Sequence, residues 1–275
     1  MNRFFLIVAH YLKRMFRDPK EIVLLLLIPI GLILINSLIA GDLEAETGIT
    51  FGGYNILASF MAPAFLLSFQ FFNSFFMFAF LYKDFRGGMR WRLLSTPHPA
   101  RTFVFPAFIA CWILSVIMGV AYIVITAVFL DVYWGNLLVL AAVLAIISLM
   151  AVFSSVLIFL FTKKYSQANA ISYIVAFGLM VLSGFMIPLQ MFGDNALIRF
   201  MLNHGTPLSI GQVAIISSGP LGTIFEGTGI NIGLPGFGIG SEGGMDRSLM
   251  NIGILAAITL VLALVAMIAA RRRKI

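Results

Sequence analysis

The sequence predicts an all-α polytopic membrane protein with six transmembrane helices, on three observations. Of its 275 residues 61% are hydrophobic and only 11% are charged, whereas a soluble domain carries about 25% charged residues; mean hydropathy is +1.04. Six apolar runs, at about 22–40, 57–82, 103–130, 136–161, 169–190 and 249–270, each reach the ~20 residues that a helix needs to cross a bilayer. Asp, Glu, Lys, Arg and His are absent from all six runs. The runs follow one another without an internal repeat, so residues 1–275 are expected to form a single membrane domain.

Residues 1–20 precede the first run. Phe4, Val8, Tyr11, Leu12 and Met15 recur there at helical spacing, and Arg3, His10, Lys13, Arg14 and Arg17 fall on another side. That division predicts an amphipathic helix lying in the membrane interface, ended or turned by Pro19. A cleaved signal peptide is not expected, because the apolar run after the basic leader exceeds the usual ~7–15 residues. The run 57–82 would be roughly 39 Å long as a helix, so it should tilt or project beyond the hydrocarbon.

Charge sets the orientation. Five Lys and Arg precede the first run, five lie in 83–102, two are Lys163 and Lys164, and four close the chain at 271–274. Of the Lys and Arg, the intervening segments hold only Arg199 and Arg247, and the first of these segments carries Asp42, Glu44 and Glu46. Sixteen of the 18 basic residues thus fall on one side, and the positive-inside rule puts both termini in the cytoplasm. The same asymmetry accounts for the net charge of +7 without a nucleic-acid partner. On this topology 191–248 is external. Its apolar stretches Leu197–Leu202 and Leu208–Ile216 are too short to span and read as interfacial or re-entrant helices, and 217–248 reads as a glycine-rich outer loop.

Several chemistries find no residues. The single Cys111 forms no intrachain disulfide and no cysteine metal site. Spans without an ionisable group argue against an ion-coupled carrier, since such carriers usually bind the driving ion on one. No G-x-x-x-x-G-K-[ST] phosphate loop is present. The glycines Gly238, Gly240 and Gly243 fit G-x-G-x-x-G, but they follow no predicted strand and carry no weight. His10, His98 and His204 lie outside the spans, and no H-E-x-x-H zinc motif occurs. No catalytic, cofactor-binding or metal residues are assigned, and the chain is not expected to be an enzyme by itself.

Two intramembrane features each have two readings. Ser59, Gln70, Asn73 and Ser74 lie near one face of the second span, where they either pack helices together or line a translocation path. Gly184 and Pro188 near the outer end of the fifth span mark either the entrance to the re-entrant segment or an outer gate.

The segment 83–101, KDFRGGMRWRLLSTPHPAR, is the most strongly charged stretch between spans. Phe85, Met89 and Leu93 fall at i, i+4 and i+8 and make a short apolar ridge beside arginines. Such a ridge suits a groove on a partner, and Trp91 and the Leu93–Leu94 pair would be idle in water. Gly87 and Gly88 let the chain turn out of the second span, and Pro97 stops the helix at Thr96.

These residues resemble the membrane subunit of type-two ATP-binding-cassette exporters. The family's cytoplasmic motif runs roughly E-R-E-x-G-T-x-x-x-L-L-x-T-P after the second span. DFRGGMRWRLLSTP sets Asp84 on the first acid, Gly88 on the glycine, and Leu93, Leu94, Thr96 and Pro97 on the closing residues. Asp84 replaces a Glu, and Arg86 stands where a second acid is common. Arg17-Asp18-Pro19, Pro29, SGFMIPL at 183–189 and Thr206-Pro207 are similar to the family as well. The resemblance implies a permease working as a pair, with a second copy or a paralogue, each pair docking two ABC ATPase subunits that carry the ATP and magnesium. It implies a coupling helix over 83–97, with Asp84, Phe85, Gly88, Met89, Arg92, Leu93, Leu94, Thr96 and Pro97 facing the ATPase. It also implies export of an amphipathic, drug-like, peptide or lipid-linked substrate across the plasma or inner membrane, in contact with membrane lipid. Two other readings stand beside it: a self-contained carrier or channel, and a membrane-embedded enzyme.

Overall fold

A computed structural model describes residues 3–17, 22–23, 25–35, 54, 56–87, 91, 95, 101–185, 196–219 and 244–272. Among these the secondary structure is helical, with no β-strand. The helices are α1 (Arg3–Phe16), α2 (Leu25–Ile35), α3 (Ile56–Phe85), α4 (Arg101–Phe129), α5 (Leu137–Phe161), α6 (Tyr165–Leu182), α7 (Ala196–Phe200), α8 (Pro207–Ser217) and α9 (Gly244–Arg272). A π-helical turn, Met201–Gly205, joins α7 to α8. Among the described residues α4, α5, α6 and α9 are long and apolar enough to cross a membrane. α3 is 30 residues long and has Lys83 and Asp84 only at its last turn.

α5 is the centre of the bundle and packs on α3, α4, α8 and α9. Its residues are apolar on every side, the pattern of a helix that needs a surface all round. It starts where Asn136 caps it: Asn136 Oδ1 accepts from the Leu138 N–H at 2.9 Å. The connection from α4 turns at Asp131 and Gly135, whose φ angles are 48° and 64°. A Cβ at Gly135 would meet Ser218 Oγ at 3.1 Å and the Ile215 carbonyl at 3.3 Å, so this turn is pressed against the end of α8.

α8 is too short to cross a bilayer, yet residues 208–216 are all buried. Thr206 and Ser209 cap its start reciprocally, and Pro207 takes the first helical position, where a missing N–H costs nothing. α3, α5 and α9 enclose it. Gln212 Nε2 donates to the Phe60 carbonyl at 3.1 Å, and Ser248 Oγ donates to the Ala214 carbonyl at 2.9 Å. The apolar stretch that the sequence left as interfacial or re-entrant is therefore part of the core.

α6 begins four residues before its apolar run and ends eight before the expected 190. The end is a Schellman motif. Phe185 N–H bonds the Met180 carbonyl at 3.2 Å and Gly184 N–H bonds the Val181 carbonyl at 3.0 Å. Gly184 has φ 77°, a conformation open to glycine at little cost.

α1 is amphipathic, as its spacing predicts, and its apolar side is turned onto the protein. Val8 and Tyr11 cluster with Ala107 and Ala110 of α4. Met15 packs against Cys111 and Leu114.

Candidate coupling site

The ends of α1, α3 and α5 and the start of α4 meet at one end of the bundle. Asp84 lies in the last turn of α3 and is buried among apolar neighbours. A carboxylate there needs a counter-charge, and α1 supplies it. Arg14 Nη1 donates to Asp84 Oδ1 at 2.7 Å and to Oδ2 at 2.6 Å. The Arg14 side chain is 31% exposed against 4% for Asp84, so the pair is half-open to solvent on the arginine's side. Tyr11, one turn earlier on α1, is buried beside the Asp84 carboxylate. Burial first, and the Asp84 carboxylate second, push the Tyr11 phenol well above its ordinary value. Phe85 packs half-buried in the apolar cluster of Val8, Tyr11 and Ala107.

Two residues further on, Arg86 turns the other way. It donates to the Thr162 carbonyl through Nη1 and to the Phe159 carbonyl through Nη2, the latter at 2.8 Å. These carbonyls belong to the C-terminus of α5, which carries the negative end of the helix dipole and lacks intrahelical donors. The guanidinium also lies over the rings of Tyr82 and Phe159, at 5.1 and 4.5 Å from their centroids. Tyr82 Oη donates to the same Thr162 carbonyl at 3.2 Å. The base of the 83–97 segment is thus bolted to α1 by an acid and to α5 by an arginine.

Both departures from the family motif take part in these contacts. Asp84 and Arg86 engage the chain's own helices, and so does Phe85, the first residue of the ridge. α3 ends at Phe85 and the chain bends at Gly87. Beyond the bend, Ser95 N–H bonds the Trp91 carbonyl at 3.0 Å, one helical turn. The Trp91 side chain is 75% exposed. Gly88, Met89, Arg92, Leu93, Leu94, Thr96 and Pro97 lie outside the described residues.

The stripe on α3 is buried inside the chain. Gln70 Oε1 accepts from Ser115 Oγ of α4 at 2.6 Å and from Ser148 Oγ of α5 at 3.0 Å, so one amide joins three helices. Ser59 Oγ accepts from the Tyr133 N–H at 2.8 Å, and Ser74 Oγ donates back to the Gln70 carbonyl at 3.1 Å. Asn73 is 4% exposed, and its Oδ1 has no partner among the described residues. It borders a cavity of about 10 Å³ between α2, α3 and α4. At the proposed gate, Ser183 and Thr206 hydroxyls lie 2.6 Å apart and tie the end of α6 to the cap of α8, next to Gly184. Pro188 lies outside the described residues.

Arg14 was missed as a partner for Asp84: the lone acid of 83–101, abutting an apolar helix, signals that a counter-charge is needed but not which residue supplies it. Ser115 and Ser148 carried no signal, since single serines in apolar runs are common.

Among the described residues no cluster of His, Cys, Asp and Glu suits a metal ion. The arrangement is that of a multi-pass helical membrane subunit with a braced, aromatic-tipped segment at its basic end. The chain belongs to the ABC-2 type transporter family, whose model matches residues 2–219. That makes it the membrane subunit, or permease, of an ABC transporter. The match stops at Gly219, where the glycine-rich segment begins, and α9 lies beyond it. No curated protein matches the chain.

Proposed function

We propose that this permease exports an amphipathic substrate from the cytoplasm, driven by ATP hydrolysed on a separate ABC ATPase subunit that grips residues 83–97. The observation that carries the reading is Trp91. It stands exposed on a turn whose base is clamped to α1 by Asp84 and to α5 by Arg86. An exposed tryptophan suits a hot-spot anchor for a partner, and the braces at Asp84 and Arg86 carry the partner's motion into two helices. Gly88, Met89, Arg92, Leu93, Leu94, Thr96 and Pro97 complete the contact in this reading.

The wider reading is a chain of six spans, counting α3 and the run 22–40, with both termini cytoplasmic and α1 in the membrane interface. α8 then enters the membrane from outside and returns, its short length tolerated because protein encloses it. The working unit is a pair of permeases, with a second copy or a paralogue, in the plasma or inner membrane. The basic asymmetry supports the orientation, and the uncharged spans support an amphipathic cargo.

Affinity purification in mild detergent tests the partner: an ABC ATPase should co-purify, and transport by vesicles lacking any ATPase would favour a self-contained carrier. Topology is tested with a cysteine at Ser95, which is exposed, while Cys111 is buried and should stay silent. An impermeant reagent should leave the Ser95 cysteine unlabelled in intact cells. Ready labelling there would reverse the orientation.

A further inference from the structure

A groove of about 620 Å³ runs between α4, α5 and α9. Phe105, Phe108 and Trp112 wall it on α4, Val156 on α5, and Ala266 on α9. Small residues on α9 leave the space, and Trp112 Nε1 donates to the Ala145 carbonyl at 3.1 Å, which holds the indole in place. The groove takes in the beginning of α4 and the closing halves of α5 and α9, so it lies wholly at the end of the bundle where the basic residues gather. On α4 it runs from Val104 to Trp112, nine residues, or about 13 Å of helix. That is close to one leaflet's share, about 15 Å, of a bilayer's hydrocarbon.

Among the described residues its walls carry one ionisable side chain, Arg271, at the end of α9. Arg271 is exposed, and no hydrogen bond or ion pair engages it among the described residues. An apolar slot as deep as one leaflet, closed by the Arg271 cation at the level of the headgroups, is complementary to one kind of molecule. We propose that this groove holds an anionic phospholipid of the bilayer as a resident ligand, its acyl chain along Trp112 and Ala266 and its phosphate on Arg271. Basic pockets between membrane helices at the cytoplasmic face recognise anionic headgroups in this way. The inference is independent of the transported substrate, because the groove is separate from the α3 stripe.

The test uses the assembled transporter in proteoliposomes containing a trace of photoactivatable phosphatidylglycerol or of phosphatidylcholine with the same acyl chains. Peptides spanning 104–112, 149–156 and 263–271 should label about fivefold more with the anionic lipid, the advantage of one basic residue at the headgroup level. α6, whose Ile174 is 70% exposed on another face, should show no such preference. Arg271→Gln should reduce the preference at the groove to unity. Arg271→Lys should keep it, and Arg273→Gln should leave it intact, since a general basic tail is not the cause. Equal labelling by the two lipids in the unaltered chain, the same preference on α6, or a preference that survives Arg271→Gln in folded protein overturns the proposal. Should Arg271→Gln fail to fold, the comparison of helices in the unaltered chain decides alone.

Discussion

Arg14 and Asp84 are 70 positions apart in the chain and 2.6 Å apart in the structure. The pair is the one ionic tie between the amphipathic α1 and the end of α3 among the described residues. Removing the arginine leaves a buried carboxylate uncompensated, which costs about 3–5 kcal/mol for a fully buried pair. Arg14 is partly open to solvent, so the lower end applies. Arg14→Ala should therefore lower the thermal stability of the purified permease markedly. Adding Asp84→Asn should recover part of the loss, because the orphaned charge is gone; a double-mutant cycle in detergent measures this coupling. Strictly additive losses would show that the pair is idle.

Tyr11→Phe removes a buried phenol beside Asp84 and should cost about 1 kcal/mol, the typical net contribution of a buried hydroxyl. It should also change the alkaline limb of stability. The phenol is raised in the folded chain, so below its ordinary value of 10.0 the folded and unfolded states both hold the proton and the stabilisation is complete. As pH rises beyond that value the unfolded chain loses its proton first, and stability falls. Denaturation curves from pH 9 to pH 11, compared between the two proteins, should show about one proton's less slope in Tyr11→Phe. Parallel curves would mean that Tyr11 does not titrate against the Asp84 carboxylate.

Arg86 caps the carbonyls at the end of α5, so Arg86→Gln should loosen α5 and α3 together. A cation at a helix C-terminus contributes about 0.3–2 kcal/mol. Hydrogen exchange should rise at 159–164 and at 82–87 in the same sample. Lys in its place cannot reach two carbonyls as a planar fork and should rescue only in part. Faster exchange confined to 82–87 would mean that Arg86 serves its own segment alone.

How much of this was legible in the sequence depends on the range of the interaction. The long helices are written in hydrophobic run length, which local composition carries, so α3, α4, α5 and α9 fall close to the expected runs. The end of α6 was misplaced because Met186–Leu189 continue the apolar pattern, and composition does not register the left-handed turn at Gly184. α8 was ambiguous for a related reason: its apolar faces all round mean burial, but two of the burying helices, α3 and α5, are far away in the chain. At the candidate site, the segment 83–101 stood out by charge. Its anchorage did not, because Arg14 on α1 and the Phe159 and Thr162 carbonyls on α5 are brought there only by tertiary packing.

Gln70 offers a test of packing against transport. Gly119 sits against it: a Cβ there would stand 2.7 Å from Gln70 Nε2 and 2.5 Å from Leu144 Cδ1. Gln70 cannot yield freely, since Ser115 and Ser148 hold its other end. Gly119→Ala should thus overpack the meeting of α3, α4 and α5 and cost about 1–3 kcal/mol. Gln70→Leu should lower stability too, by leaving the buried Ser115 hydroxyl without this partner. Loss of folded yield in both, with normal transport per surviving complex, would assign the stripe to packing. Normal yield with lost transport in Gln70→Leu would assign it to the path.

Trp91 separates docking from folding. Its side chain is 75% exposed and contributes little to the permease's own core, so Trp91→Ala should leave expression, insertion and thermal stability unchanged. If the ring fills a pocket on the ATPase, its removal should cost about 2 kcal/mol or more of binding, as a hot-spot tryptophan does. That is about a thirtyfold weaker complex. Titration of purified ATPase against the permease in nanodiscs should show the shift directly, and substrate-stimulated hydrolysis should fall with it. Trp91→Phe should retain part of the affinity, since an aromatic anchor survives. If Leu93 shares that contact, Leu93→Asp should abolish docking, because a charge would enter an apolar groove. The two variants differ in one respect that guards the conclusion. Trp91→Ala removes surface without adding repulsion, so undiminished ATPase affinity in that variant means the groove does not receive this segment. Trp91 would then be a membrane-surface aromatic, and the braces at Asp84 and Arg86 would serve only the stability of the bundle.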